Sequence, residues 1–181
     1  MALPAQRLNV ARKLIDEVAL QNRIVELGHA ITRDYADVDE LVLIGILKGS
    51  FVFLGDLTRQ IAIPHTIEFL QVSSYGVGRR ESSGTINLKL DIHTDLTDKH
   101  VLVIEDIIDS GNTLNFIIQH LKSYSPSDIK ICTLLDKPMR RKVQMDADYV
   151  GFTIPDKFVV GYGIDADEQF RHLPYIASVT H

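Results

Sequence analysis

The chain reads as an α/β protein built on a mainly parallel, twisted sheet with helices on both faces. Three observations predict this. Strand-like and helix-spaced segments alternate along the chain. The runs Leu41–Leu47 and Val101–Ile104 are continuously apolar, and polar residues suited to ligands follow close behind them. A strand without polar alternation needs cover on both faces, as helical crossovers provide in parallel sheets.

Taken in order, Asp16 is placed to cap a helix running to about Asp34, with Val18, Ile24, Leu27, Ala30 and Ile31 close to helical spacing. Leu41–Leu47 is a buried strand that ends at Lys48-Gly49-Ser50, and Phe51–Ile61 follows as helix. His65–Ser73 is strand-like. Residues 73–86 are rich in Gly and Ser, carry Arg79, Arg80 and Glu81, and read as a long mobile loop. Strand 101–108, helix 113–123 and strand 129–135 form a second β-α-β unit. From about Asp136 the chain is irregular, with short strands near Tyr149–Thr153 and Lys157–Tyr162. No repeat, low-complexity segment or linker divides it, so one domain over residues 1–181 is expected.

Composition narrows the function classes. Hydrophobic residues at 45% and charged residues at 24% fit a folded domain rather than a disordered chain. A net charge of −5 argues against general affinity for nucleic acid or anionic membranes. The longest apolar run, Leu41–Leu47, falls far short of the roughly 20 residues a spanning helix needs. Met1-Ala2-Leu3-Pro4 lacks the basic end and apolar segment of a secretory leader, and the cytosol is the expected compartment. The single cysteine, Cys132, lies inside a strand and reads as a packing thiol. Gly76-Val77-Gly78 is no dinucleotide fingerprint, since Glu81 stands where the third glycine belongs. The seven histidines show no zinc spacing, and Arg140-Arg141-Lys142 reads as a solvated face.

In open α/β sheets, ligands sit beyond the C-terminal strand ends. Here three such ends carry Lys48-Gly49-Ser50, Asp109 to Thr113, and Asp136-Lys137, so one composite site is expected. The richest stretch is 101–113. Its apolar strand runs into Glu105 and Asp106, which can accept sugar hydroxyls or face a metal ion. Ser110-Gly111-Asn112-Thr113 then opens a helix whose backbone N–H groups and hydroxyls suit a phosphate. Ribose plus phosphate is the natural reading. Taken singly, the same residues also fit blander roles: a capped turn, a solvated Lys48, a surface salt bridge at Arg171, and Phe158 as core.

Glu105-Asp106-Ile107-Ile108-Asp109-Ser110-Gly111-Asn112-Thr113 resembles the phosphoribosyl pyrophosphate (PRPP) signature of the type I phosphoribosyltransferases. More narrowly, the chain resembles the hypoxanthine(-guanine) phosphoribosyltransferases. The likeness runs through Leu47-Lys48-Gly49-Ser50, Ser73-Ser74-Tyr75-Gly76, Leu135-Asp136-Lys137-Pro138, Ile154 to Tyr162, Asp165 and Phe170-Arg171. The signature identifies a PRPP binder, and Lys137, Phe158 and Asp165 narrow it to the 6-oxopurine branch.

The resemblance implies purine salvage: Mg²⁺-dependent transfer of the phosphoribosyl group from PRPP to N9 of hypoxanthine, and of guanine, with release of pyrophosphate. It implies a small hood formed by the N-terminal segment and about residues 150–181. Ser110, Gly111, Asn112 and Thr113, with Asp109, would cradle the 5′-phosphate. Glu105 and Asp106 would hold the ribose hydroxyls directly or around Mg²⁺. Asp109 would be the general base that takes the purine N7 proton. Lys48 and Gly49, beside a cis or otherwise strained Leu47–Lys48 peptide, would bind pyrophosphate together with Arg171. Phe158 would stack on the purine, Val159 would touch its edge, and Lys137 would donate to O6. Asp165 would lie near the exocyclic position and a second Mg²⁺. Asp136 is expected to orient or damp Lys137. Residues 73–86, with Ser74 and Tyr75, would close as a lid over a cation-like reaction centre that water must not reach. Relatives are dimers or tetramers, so a homo-oligomer is implied. Two rivals are a PRPP-sensing regulator that acts by binding nucleic acid or protein, and a xanthine-guanine enzyme. The base-site residues and the acidic charge favour the enzyme over the regulator.

Overall fold

The computed structural model describes residues 9–74 and 86–180. In chain order the elements are β1 (Asn9–Ile15), α1 (Glu17–Asp34), β2 (Leu41–Leu47), α2 (Phe51–Thr58), β3 (His65–Ser74), β4 (Ile86–Leu90), β5 (His100–Ile108), α3 (Asn112–Lys122), β6 (Asp128–Asp136), β7 (Tyr149–Thr153), β8 (Val159–Val160) and β9 (Ile176–Thr180). Among the described residues, a six-stranded sheet has the order β4-β3-β2-β5-β6-β7, and a three-stranded sheet has the order β1-β9-β8. In the large sheet only the edge pair β3–β4 is antiparallel.

The strands explain the two-faced core. Side chains alternate across a strand. Leu41 and Leu43 of β2, Leu102 and Ile104 of β5, and Cys132 and Leu134 of β6 pack with Leu20, Ile24, Leu27 and Ile31 of α1 and with Phe53, Leu54 and Leu57 of α2. Val42 and Ile44, Val101 and Val103, and Ile131 point the other way, against Leu114, Ile117 and Leu121 of α3. A strand buried on both faces has no position for a polar residue until it leaves the core. The thiol of Cys132 is fully buried, which pushes its pKa well up and leaves it inert.

Helix α1 begins as its sequence predicts, with Asp16 Oδ1 accepting from Ala19 N at 2.8 Å. Its inward face differs from the expected one: Val18 is 68% exposed, and Leu20 takes the buried position. Helix α2 ends at Thr58 rather than Ile61, because Gln60 N and Ile61 N donate to Leu57 O and Thr58 O in tightened turns. The strand expected over Lys157–Tyr162 shrinks to Val159–Val160, since Gly161, Tyr162 and Gly163 all have positive φ and turn the chain away. Strands β1, β4 and β9 have no local signal in the sequence, but β1 and β9, with β8, form the small hood that the resemblance implies. Ser73 and Ser74 belong to β3 and pair with Asn87 and Ile86, so the expected 73–86 loop is strand at both margins. Tyr75 and the rest of that loop, residues 75–85, lie outside the described residues. No described helix is long and apolar enough to cross a membrane.

Candidate active site

Because β2, β5 and β6 are parallel neighbours, their C-terminal ends open on one edge of the sheet. Contacts confirm that the three ends meet. Lys137 N donates to Ile108 O at 2.9 Å, tying the end of β6 to that of β5. Gly49 lies so close to Asp106 that a Cβ there would sit 1.6 Å from Asp106 Oδ2, so any larger residue would have to displace that carboxylate or the turn.

The turn after β5 is built for an anion. Gly111 has φ +81°, the left-handed conformation that glycine adopts without steric cost, and it supplies no side-chain cap to α3. Asn112 N is met only by Ser110 Oγ at 3.4 Å. The first-turn N–H groups of α3 therefore keep their capacity for a ligand, at the positive end of the helix dipole. A cleft of about 90 Å³ lies between this turn and Glu105.

Beneath it sits Arg141, where sequence reasoning had expected a solvated basic face. Its side chain is largely buried and donates to Ile108 O, Asp109 O and Met145 O, at 3.1, 2.8 and 3.2 Å. It also pairs with Asp136, so Asp136 serves Arg141 and not Lys137 as expected. Arg140 bridges two loops: its Nε is 2.9 Å from Asp109 Oδ1, and its Nη1 is 3.3 Å from Asp156 Oδ1. The first contact is an ion pair without hydrogen-bond alignment, so Asp109 Oδ1 has no aligned donor among the described residues. Neither arginine carries a functional motif in the sequence. Their only signal is position, directly after a strand end that already carries site residues.

Glu105 and Asp106 are a strained electrostatic pair. Glu105 is 8% exposed, and burial pushes its carboxyl well above the usual range, helped by the charge of Asp106 beside it. Burial also raises Asp106, against hydrogen bonds from Glu105 and the Ile107 N–H. Two adjacent acids, Glu105 buried and Asp106 half-buried, that resist ionisation together are a fitting pair for a hard divalent cation, which Mg²⁺ sites build from one or two carboxylates plus substrate oxygens. Among the described residues no cluster of three or more His, Cys, Asp or Glu is arranged for a metal.

Asp165 stands elsewhere. Its Oδ1 is 2.8 Å from Arg171 Nη2, and its Oδ2 accepts from Glu168 N at 2.8 Å. Arg171 also donates to Gly163 O at 2.7 Å and lies 3.1 Å from Glu168 Oε2. Glu168 reaches Lys48 Nζ with its other oxygen, at 3.0 Å. Lys48, Asp165, Glu168 and Arg171 thus form one charged group. Hydrogen bonds from Lys48 and then Arg171 hold the Glu168 carboxyl below its usual range. The Leu47–Lys48 peptide is cis. Glu168 had no part in the expected site, although its three-residue spacing from Arg171 was a usable hint.

The remaining residues suit a flat, polar-edged ligand. Lys137 is 5% exposed and makes no ion pair among the described residues. Burial lowers its pKa, with Asp109 and then Asp156 acting to raise it. Phe158 is 57% exposed, unlike the core residue its sequence context suggests, while its neighbour Val159 is buried in β8. Its carbonyl is fixed by Val179 N at 3.2 Å. A large exposed aromatic on a fixed backbone is a ready stacking surface. Ser74 lies at the end of β3 and Tyr75 beyond the described residues.

Comparison with known proteins agrees with this geometry. The family model for the phosphoribosyl transferase domain matches residues 16–167. The chain is 48% identical over 167 residues to the hypoxanthine phosphoribosyltransferase of Salmonella typhimurium, covering 92% of this chain and 93% of that one. Among solved structures, a hypoxanthine-guanine phosphoribosyltransferase from Bacillus anthracis superposes with a TM-score of 0.89 at 48% identity, covering 97% of this chain and all of that one. A hypoxanthine phosphoribosyltransferase from Staphylococcus aureus gives 0.89 at 44% identity, covering 94% and 92%.

Proposed function

The chain belongs to the phosphoribosyltransferase family, on its hypoxanthine branch, and from that premise we propose how its residues divide the reaction. The enzyme serves purine salvage, moving the 5-phosphoribosyl group of PRPP to N9 of hypoxanthine and releasing pyrophosphate. Guanine is proposed as a second substrate.

The 5′-phosphate sits on the turn Ser110–Thr113, held by backbone N–H groups that α3 leaves unused. Glu105 and Asp106 take the ribose hydroxyls and would hold Mg²⁺, which when bound supplies the positive charge that lets both acids ionise. Lys48, the Gly49 backbone and Arg171 hold the pyrophosphate. The purine lies on Phe158 beside the Val159 backbone, with the Lys137 ammonium donating to O6. Asp109 takes the N7 proton as N9 attacks the anomeric carbon, with Arg140 Nε 2.9 Å from its Oδ1. Asp165 belongs to the pyrophosphate side of the site in this arrangement, with a second Mg²⁺ and the purine's exocyclic edge as its proposed partners on ligand binding. Closure by the segment of Ser74 and Tyr75, homo-oligomeric assembly and a cytosolic location belong to the same proposal.

The observation that carries this reading is the buried Lys137, hydrogen-bonded through its backbone to the end of the signature strand. A desolvated ammonium donates strongly and accepts nothing, so it prefers a 6-oxo group to the 6-amino group of adenine. The test is the ultraviolet change on mixing protein, Mg²⁺ and PRPP with hypoxanthine, guanine, xanthine or adenine. Turnover of hypoxanthine without adenine is expected. A flat trace for all four bases with PRPP still bound would leave a PRPP-sensing regulator, and preference for xanthine would move the chain to that rival branch.

A further inference from the structure

Glu168 has no part in the reaction as divided above, yet it holds the two cations assigned to pyrophosphate. Its Oε1 lies 3.0 Å from Lys48 Nζ, just beyond β2, and its Oε2 lies 3.1 Å from Arg171 Nη2, in the segment before β9. The two cations come from distant parts of the sequence, and one carboxylate joins them. The turn aims it there: Asp167 and Glu168 have φ of +51° and +62°, and the Glu168 N–H donates to Asp165 Oδ2 at 2.8 Å. Positive φ at two successive non-glycine residues costs free energy, so the surroundings must fix this conformation. Asp165, on Arg171 at 2.8 Å, and Asp106, which feels the Arg171 charge, also face the pair.

An anion with one oxygen on each cation makes the charge-assisted contacts that a diphosphate bridge would make. We propose that Glu168 is a built-in substitute for pyrophosphate: it bridges Lys48 and Arg171 while the site is empty and is displaced when the pyrophosphoryl group of the substrate enters. The inference rests on the reading of Lys48 and Arg171 as the pyrophosphate residues. Its consequence is a weaker grip on pyrophosphate than the two cations alone would have. In return the cations stay held apart at a fixed separation. A tethered carboxylate, present at high effective concentration, also stands ready to take over the bonds of the departing product.

The sign of one substitution separates this from a supporting role. Binding of inorganic pyrophosphate at fixed Mg²⁺ is measured by titration calorimetry for the wild type and for Glu168→Gln, Glu168→Ala, Asp167→Asn and Lys48→Met. Asp167 is exposed and pairs with neither cation among the described residues, so its variant controls for simple loss of negative charge. Removing the two ion pairs of the exposed Glu168 carboxylate should tighten pyrophosphate binding of Glu168→Gln by about threefold to tenfold. Asp167→Asn should gain much less, and Glu168→Ala should gain as Glu168→Gln does. Equal or weaker binding by Glu168→Gln, or a gain no greater than that of Asp167→Asn, overturns the inference while leaving the site reading in place. Lys48→Met should weaken binding. If it does not, Lys48 is no pyrophosphate residue, and the reading on which the inference stands falls with it.

Discussion

Glu105, within β5, and Asp109, just beyond its end, are four positions apart and meet opposite electrostatic surroundings. Asp109 is half-exposed with Arg140 Nε 2.9 Å away, whereas Glu105 is buried against a second acid. For Asp109 the proposed base role predicts that Asp109→Asn keeps PRPP binding but loses about 10²- to 10⁴-fold in kcat. Initial rates beside PRPP titration check this, and an unchanged kcat would remove Asp109 from that role. For Glu105 the prediction concerns stability. Its folded pKa lies above its ordinary value of 4.5, so above that pH the native state holds proton that the unfolded chain has lost. Stability therefore falls as pH rises from about 4.5 through the raised folded value. Glu105→Gln should flatten this slope. It should also raise stability near neutral pH by about 0.5–2 kcal/mol, each kcal/mol being worth roughly 2–4 °C of Tm in a chain of this size, while activity drops. Thermal melts across pH without divalent ions test it. Mg²⁺ added to the wild type should flatten the slope as well, and a slope that neither change alters would place its source elsewhere.

At the scale of elements, the site depends on how closely the ends of β2 and β5 approach. Gly49→Ala would put a methyl into the space of Asp106 Oδ2. Either the acid or the turn must move, at a cost of about 1–3 kcal/mol. The expected result is a lower urea midpoint together with a raised KM for PRPP, and a variant with both values unchanged would refute the close approach. The elements that build this junction were legible because their signals are local. Continuous apolar runs mark β2 and the first half of β5, a mostly apolar stretch broken by Lys130 and Thr133 marks β6, Asp16 marks the start of α1, and Ser110-Gly111 marks that of α3. What the sequence did not disclose is pairing at a distance. Arg141 reads as a surface charge until the carbonyls of Ile108, Asp109 and Met145 are seen around it. Glu168 reads as solvated until Lys48, 120 residues earlier, is placed beside it. In both cases the residue's role comes from a partner that no local pattern names.

Across the whole molecule, the proposed base platform is held by the chain's two ends. Strand β1 pairs antiparallel with β9 from Asn9↔Thr180 to Ile15↔Ile176, and β9 in turn carries β8 through Val159↔Ser178 and Val160↔Ala177. No turn or spacing announces a ladder between residues more than 160 positions apart, and β1 is half polar, so no local pattern marks β1 and β9, and only the family resemblance implies the hood that they form with β8. The arrangement nonetheless reaches the site, because Val179 N of β9 donates to Phe158 O at 3.2 Å. The phosphate turn and Lys48 lie at the large sheet's strand ends, whereas Phe158 hangs from the small sheet and Arg171 lies in its β8–β9 connection, tied back by Gly163 N to Arg171 O. Weakening the pairing beside Phe158 should therefore affect the purine more than PRPP. Val179→Pro deletes this donor within β9, and proline's fixed φ adds local disturbance. Loss of one hydrogen bond, about 0.5–1.5 kcal/mol, corresponds to a rise of roughly twofold to tenfold in KM for hypoxanthine. The KM for PRPP should stay within about twofold of wild type. Steady-state kinetics with each substrate varied in turn make the comparison. If both KM values rose together, the two sheets would act as one support, and if neither did, Phe158 would not owe its position to β9.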